Sequence, residues 1–569
     1  DGSGKVISIN KSRRIKHVDG IKIIAGSRDC TSLDLSNLSL NGLSPDIGSL
    51  TELVELFLYE NKLISLPTQI CKLQKLQKLW LQENCLLSLP AELELCTKLI
   101  HLDLRHNRLD GPLPAAITHL FSLTQLFLTY NKLTDISGIG RLTNLQTLVV
   151  KSNNLQGRIS DCIGQLIDLK TLDLSKNRLT EIPDEISGCK HLVRFLVDYN
   201  QILQIPSSIG ELTELQILGI KYNKLSGLPC ELAHCQQLTE LNIEGNRIQR
   251  LPDGLLQSMP MLSSAVLSRN SFTTIPDENA DQFFHLKNLC LDYNAIESLP
   301  DDVFFKASQL STLNLGNNCI HSLDSLGKLS INIICLMITP FSETKCNSLV
   351  GLDLSYNLIE KLPDNLFEMM NLELLDLTSN RLQQLPSTIG KMSHLVQLHL
   401  EFNQLTSLPS EICELTHLKV LNLDANRLTR LPSSIGRLPN LEQLRLADNL
   451  LQRIPSQIAD LKMLTHLHLK NNKCLDLLPL ELCTMPKLTF LSLEGCNLRR
   501  LPPAVVLSGS GGIIKYFRSL LRTKNALFKQ CNFEVHDTRV TDELAEGEKQ
   551  HYRKLSKSFP PSMRLVTHN

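Results

Sequence analysis

Leu102-Asp103-Leu104-Arg105-His106-Asn107-Arg108-Leu109 carries the pattern that decides the fold. Two leucines two residues apart point to one side of an extended strand, and the residue between them points to the other. Asn107 then turns the chain out of the strand, and its side-chain amide can satisfy turn backbone groups that would otherwise be buried unpaired. Reading outward, the same Leu-x-Leu-x-x-Asn-x-Leu recurs with its Asn at 61, 84, 107, 131, 153, 177, 200, 223, 246, 270, 294 and 318, then at 357, 380, 403, 426, 449 and 472. The spacing is 22 to 24 residues, except for one step of 39. A degenerate unit opens the series at Leu33-Asp34-Leu35, and another closes it between Leu491 and Leu498, where Cys496 stands in the Asn place.

A period in this range marks a stacked repeat. A lone unit cannot bury its leucines, whereas stacked units share one core. The expected fold is an α/β leucine-rich-repeat solenoid (a horseshoe) of about 20 repeats, with a parallel concave sheet and short irregular or 3-10 segments on the convex side. A Leu-Pro step (Leu66-Pro67, Leu89-Pro90, Leu408-Pro409, Leu431-Pro432) ends each strand region and starts the convex segment. Two units replace it with a glycine variant, at Leu109-Asp110-Gly111-Pro112 and Leu155-Gln156-Gly157-Arg158. The expected organisation is a flexible leading segment over 1–29, the solenoid over 30–500, a helical cap over 501–522 and a flexible tail over 523–569. The 39-residue step predicts an inserted loop near 331–346. Within the cap, Ser508 to Gly512 reads as a turn and Ile513 to Leu521 as a helix.

Composition narrows the function. Lys plus Arg and Asp plus Glu both number 58, so the formal net charge is zero and gives no electrostatic reason to expect nucleic acid or an anionic membrane. No stretch approaches 18 consecutive apolar residues, so no membrane insertion is expected. Seventeen Cys are scattered singly, several at one place in successive units (Cys71, Cys96, Cys189, Cys235, Cys413, Cys483). They read as small buried hydrophobes in a reducing, cytoplasmic setting, with the nucleus as a second location. The chain starts at Asp1, not Met, and so is expected to be a fragment, a processed form or an incomplete gene model. An extracellular ectodomain would carry clustered Cys at its ends and glycosylation sequons; Asn37-Leu38-Ser39 is a sequon, but the Cys clusters are missing.

Catalytic and metal chemistry find no support. The Ser508 to Gly512 run lacks the Gly-Lys-Ser/Thr ending of a phosphate-binding loop. His466 and His468 alternate in one strand, but Gln443, Arg445, Phe490 and Ser492 alongside are poor zinc ligands. No enzyme, no metal and no cofactor are expected. The outward strand positions say more. Six of the eight Tyr (Tyr59, Tyr130, Tyr199, Tyr222, Tyr293, Tyr356) lie in or just after a strand, as does the only Trp, Trp80, with Phe57, Phe127 and Phe402. Interleaved with charges such as Asp103, Arg105, Arg194, Lys221 and Glu401, these aromatics have the composition of a protein interface. Twenty strands would give an inner ladder of roughly 95 Å, enough for two globular partners.

The Leu-Pro-type units, the cap Leu501-Pro502-Pro503-Ala504-Val505-Val506 with Ile513-Ile514-Lys515-Tyr516-Phe517, and the unit from Leu102 to Asn107 together resemble the Shoc-two (Sur-eight) scaffold family, from about residue 30 to 522. The resemblance implies a non-catalytic scaffold of the Ras–MAP kinase pathway. Its concave face would hold a GTP-loaded Ras-family GTPase (M-Ras-like) and the catalytic subunit of protein phosphatase one, promoting dephosphorylation of RAF kinase. Membrane recruitment would come through the GTPase. By position the resemblance assigns partner binding to Asp103, Arg105 and His106, to Glu55 and Tyr59, and to Lys221 with Tyr222. Trp80, Phe127, Tyr130, Arg194 and Glu401 complete the candidate site from the residues themselves. A generic repeat adaptor with other partners is the alternative. The family's phosphatase-docking motif has only a poor counterpart in Lys5-Val6-Ile7-Ser8-Ile9, which lacks the aromatic.

Overall fold

The structure, a computed structural model, describes residues 5–8, 29–275, 283–299, 307, 309–323 and 349–533. The expected insertion near 331–346 and the tail beyond 533 lie outside the described residues. The chain divides into two compact units, one of Asp1–Ile296 with Val303–Leu313 and one of Glu297–Asp302 with Asn314–Asn569.

Both units are built from the predicted strand. In the first, Cys30–Asp34, Glu55–Phe57, Lys78–Trp80, His101–Asp103, Gln125–Phe127 and Thr147–Val149 pair in parallel, each with the next, and the ladder continues to Asn288–Cys290. In the second, the same ladder runs from Gly351–Asp353 to Phe490–Ser492. The paired apolar residues of the strands are buried, as at Leu102 and Leu104 or Leu421 and Leu423, except at the last strand, where Leu491 and Leu493 are half-buried. Lys5–Ser8, within the leading segment, forms a further parallel strand against Cys30–Asp34.

Opposite the sheet, most units carry a five-residue 3-10 helix that starts directly after the proline of the Leu-Pro step, as at Thr68–Lys72 after Pro67 and Ser410–Glu414 after Pro409. The recurring glycines of these helices hold neighbours together. A Cβ on Gly164 would lie 2.2 Å from the Glu185 carbonyl oxygen, and one on Gly188 2.1 Å from that of Gly164. The two glycine-variant units add a second strand pairing. Asp110–Pro112 pairs with Lys132–Asp135, and Gln156–Arg158 with Arg178–Glu181, as separate two-stranded parallel sheets. Gly111 and Gly157 supply the positive φ of +79° and +70° there.

The buried Asn behaves as its chemistry predicts. Asn107 Nδ2 donates to the carbonyls of Leu81 and Leu104, at 2.9 and 3.1 Å, and its Oδ1 accepts the Leu86 N–H at 3.0 Å. Each Asn so ties its own turn to the preceding unit. Cys496, in the last Asn place, keeps one of these bonds, its Sγ donating to Leu469 O at 3.0 Å. The repeated thiols are free, and burial pushes Cys96 and Cys189 up to about 12 and Cys235 to about 11. Cys96, Cys189 and Cys235 are protonated packing groups at neutral pH.

The cap differs from the sequence reading. Pro503–Leu507 is a short helix, α1, and Gly509–Phe533 is a second, α2. The glycine run from Ser508 to Gly512 is therefore not a turn. Only Gly509 takes a left-handed φ of +70°, which separates the two helices. Helix α2 also continues beyond Arg522 into the segment read as tail. Ile513 and Phe517 are buried, and the helix packs on the last 3-10 helix, Leu480–Thr484.

Candidate protein-binding face

On the sheet face, the first unit gathers an aromatic slab. Phe57 and Trp80 occupy paired positions on adjacent strands, and their rings stack 4.1 Å apart at 6°. His101 lies 5.1 Å from Trp80 and 5.5 Å from Phe127, bridging the two. Charges sit over the slab at its margins, with Lys78 Nζ 6.0 Å from the Trp80 ring and Arg105 Cζ 5.5 Å from the Phe127 ring. Glu55 anchors Lys78 by an ion pair of 3.0 Å. Tyr59 is half-buried two residues beyond Phe57. The structure thus brings Trp80, Arg105, Phe127 and Glu55 to one face. His101 and Lys78 were missed. Both stand just before a Leu-x-Leu, two residues ahead of the position between the leucines, so period two puts them on the same face.

Asp103, expected on the partner-binding face, is buried by its own strand end. It is 1% exposed. Its Oδ1 accepts the Arg105 backbone N–H at 3.1 Å, and its two oxygens hold the Arg105 guanidinium at 2.6 to 3.0 Å. The same bond, from the N–H two residues on, is made by Asp34, Asp173, Asn242, Asn314, Asp353, Asp376 and Asn422. The Asp of Leu-Asp-Leu is a strand-ending cap, and at this unit it also aims Arg105. Asp103→Ala is expected to lower stability by about 1–2 kcal/mol, whereas Arg105→Lys, which keeps both the backbone N–H and a cation beside the carboxylate, changes urea unfolding less. Equal unfolding midpoints for the two variants would refute the capping role.

A second regularity lies in the backbone of the turn. In nearly every unit the residue before the Asn has a positive φ near 55°, and most are not glycine: Glu60, Glu83, His106, Tyr130, Lys176, Tyr199, Tyr222, Arg269, Tyr293, Tyr356 and Phe402 among them. Such a conformation costs a non-glycine residue roughly 1–2 kcal/mol, which the flanking ladder bonds overcome. Its effect, within each compact unit taken by itself, is to line these side chains along one rim of the sheet. His106 stacks on Tyr130 at 4.4 Å, and Tyr130 is exposed. Tyr199 stacks on Tyr222 at 4.7 Å and 10°. The Tyr222 hydroxyl donates to Glu244 at 2.6 Å, Glu244 pairs with Arg269 at 3.4 Å, and the Arg269 guanidinium lies 3.9 Å from the Tyr293 ring centre. At the one glycine within this run, Gly245, a Cβ would sit 2.6 Å from the Tyr222 ring. Lys221 donates its backbone N–H to Asp198 at 3.0 Å, and burial pushes that carboxyl above its ordinary range. Arg194 is exposed at the start of its strand.

Glu401 belongs to the second unit, 3.8 Å from His399. In that unit His466 and His468 lie against Phe490, at 5.7 and 4.8 Å between ring centres, and burial pushes His468 below the usual imidazole value.

Comparison with known proteins agrees with this architecture. A leucine-rich-repeat family model matches residues 143–202, 284–332 and, in overlapping stretches, 347–498, and a second one matches 98–120. No curated protein sequence matches the chain. Among solved structures, the chain is similar to the plant peptide hormone receptor RGFR1 in complex with RGF2, at 28% identity and a TM-score of 0.58, over 85% of this chain and 87% of that one. It is also similar to the leucine-rich-repeat ectodomain of the Arabidopsis receptor kinase HAESA in complex with an IDA peptide hormone, at 28% identity and 0.59, over 83% and 80%. A leucine-rich-repeat protein of Leptospira interrogans follows at 26% and 0.52, over 85% and 100%. The chain is a leucine-rich-repeat protein, a class suited to protein binding.

Proposed function

We propose that the chain is a non-catalytic scaffold that holds other proteins on its sheet face. The observation that carries this reading is the slab of Phe57, Trp80, His101 and Phe127, with Lys78 and Arg105 over its margins. Trp, Tyr and Arg dominate binding energy at protein interfaces, where they act as rigid anchors inside a polar rim. Here the rings are pre-stacked, so little side-chain entropy is lost when a partner arrives.

The finer reading follows from the Shoc-two resemblance. The partners are a GTP-loaded Ras-family GTPase and the catalytic subunit of protein phosphatase one, and the assembly directs the phosphatase to RAF kinase in the cytoplasm. Any catalysis belongs to the bound phosphatase. Arg105 and His106, both exposed, supply the contacts that the resemblance assigns to this unit. The receptors in the comparison are complexes with peptide hormones, which favours a second reading in which the face takes other protein or peptide partners.

The two readings separate in one experiment. Immobilised chain is offered the purified phosphatase subunit together with a Ras-type GTPase loaded with either a GTP analogue or GDP. The scaffold reading expects both proteins to be captured with the GTP analogue and little GTPase with GDP. Capture of neither protein by a folded chain leaves the generic adaptor.

A further inference from the structure

The chain is neutral as a whole, but its strands are not alike in charge. In the first unit the strands and the turns that follow them carry Lys78, Arg105, Lys151, Lys176, Arg194 and Lys221 among their carboxylates. In the second, the stretches 351–356, 374–379, 397–402 and 420–425 are four neighbouring strands with their turns. They carry Asp353, Asp376, Glu401 and Asp424 and no Lys or Arg. Arg445, on the next strand, ends this acidic stretch.

Several groups within it are left unsatisfied. Thr378 is 6% exposed, and its Oγ1 has no hydrogen-bond partner; nor has the buried Glu401 Oε2. The two side chains are neighbours on the outward side, since Asp376 pairs with His399 in the ladder and period two carries the register on to Thr378 and Glu401. Among the described residues the one ion-pair partner of Glu401 is His399, at 3.8 Å. Burial pushes the Asp424 carboxyl above its ordinary range, and Glu401 and Asp448 add to this, against the Ala447 N–H and Arg445. On the rim beside Glu401, Phe402 is 60% exposed and has no ring or cation against it among the described residues. Rim rings of the first unit do have such neighbours, as at Tyr130, Tyr199 and Tyr293.

We infer that the acidic stretch from Asp376 to Asp424, with Phe402 on its rim, is a docking site for an arginine-bearing segment of a partner protein. Charge complementarity and the exposed ring select this occupant together. A guanidinium brings five donors in a planar fork, which can serve the Glu401 carboxylate and the Thr378 hydroxyl, and its flat face stacks on an aromatic ring. The chain makes this contact once by itself: Arg269 pairs with Glu244 at 3.4 Å and lies 3.9 Å from the centre of the Tyr293 ring. At Glu401 and Phe402 the carboxylate and the ring are present and the arginine is not. An apolar partner would bury the carboxylates without a counter-charge, and nucleic acid would be repelled by them. A metal ion lacks its ligand set, since among the described residues no three His, Cys, Asp or Glu are placed to hold one. The site extends the scaffold reading to the second unit, yet it requires neither the GTPase nor the phosphatase.

The test is calorimetric titration of the full chain with a short acetylated and amidated peptide of alternating glycine and arginine, which puts every arginine on one side when extended. The lysine counterpart is titrated in parallel. The arginine peptide is expected to bind, and the lysine one about threefold more weakly for want of the fork and the stacking face. The double variant Glu401→Gln, Asp424→Asn should bind the arginine peptide about tenfold more weakly. It keeps side-chain size and the acceptor for the Ala447 N–H, so its thermal unfolding should match the parent's. Phe402→Asn, at an exposed site whose left-handed φ of 55° suits Asn, should cost about threefold in affinity. Trp80→Ala, in the first unit, should cost nothing, which separates this site from the aromatic slab. No binding of the arginine peptide, equal binding of the lysine one, or a loss of binding in Trp80→Ala overturns the inference. So does unchanged affinity in the folded double variant or in Phe402→Asn.

Discussion

Asn153→Ala will destabilise the first unit by about 3–5 kcal/mol, while Asn154→Ala beside it will cost less than about 0.5 kcal/mol. The two side chains differ by one residue and no chemistry, yet the ladder separates them. Asn153 is buried, its Nδ2 donates to the carbonyls of Leu128 and Val150 at 2.9 and 3.1 Å, and its Oδ1 accepts the Leu133 N–H at 3.0 Å. Alanine leaves all three groups buried without a partner, at roughly 1–3 kcal/mol each before any relaxation or water entry. Asn154 contributes its backbone N–H to Leu133 O and is only half-buried. Because each repeat bonds mainly to its neighbours, the damage should stay local. Amide exchange should accelerate around residues 128–177 and stay slow near Leu241 and Leu289. Urea unfolding with matching midpoints for the two variants would show that the Asn ladder is not what joins the units.

The Asn ladder was readable in advance because its signal is local and periodic: one residue type, one place in the unit, one set of backbone groups to satisfy. The same holds for the leucines and for the glycine variants at Gly111 and Gly157, although the sequence did not say that the latter would form extra two-stranded sheets. The capping bond of Asp103 is not legible from its own unit alone. The recurring Asp-x-Ser or Asp-x-Thr at Asp34, Asp173, Asp353 and Asp376 already carried the cap signal, since a short carboxylate reaches the N–H two residues on. The left-handed turn residues were not legible. Tyr, Lys and Glu have no preference for positive φ, and only the ladder bonds on both sides impose it. The length of α2 is less legible for a different reason. Its last eleven residues adjoin a mixed-charge segment, and the only local signal that the helix continues is that they hold no Gly or Pro to end it.

Trp80→Ala will weaken capture of a sheet-face partner by about 30-fold or more, the cost of removing a central aromatic anchor, and will leave the fold in place. The second half of the expectation follows from where the ring stands. The core is made by Leu79 and Leu81, both fully buried, while Trp80 lies on the opposite side of the strand against Phe57 and His101. Its loss removes ring stacking worth about 0.5–1.5 kcal/mol and opens no cavity. Affinity is affected more strongly, because Trp80 has ring neighbours on both sides and Lys78 at its margin, so truncation lets water into the middle of the contact. Trp80→Phe should recover most of the binding by restoring the stack. Tyr356→Ala, an exposed rim residue of the second unit, serves as the comparison and should change affinity little if the slab is the anchor. The measurement is titration calorimetry with the GTP-analogue-loaded GTPase and with the phosphatase subunit, alongside thermal unfolding of each variant. If both dissociation constants stay at the wild-type value in Trp80→Ala, the slab does not anchor these partners. If Tyr356→Ala instead abolishes binding, the anchor lies in the second unit.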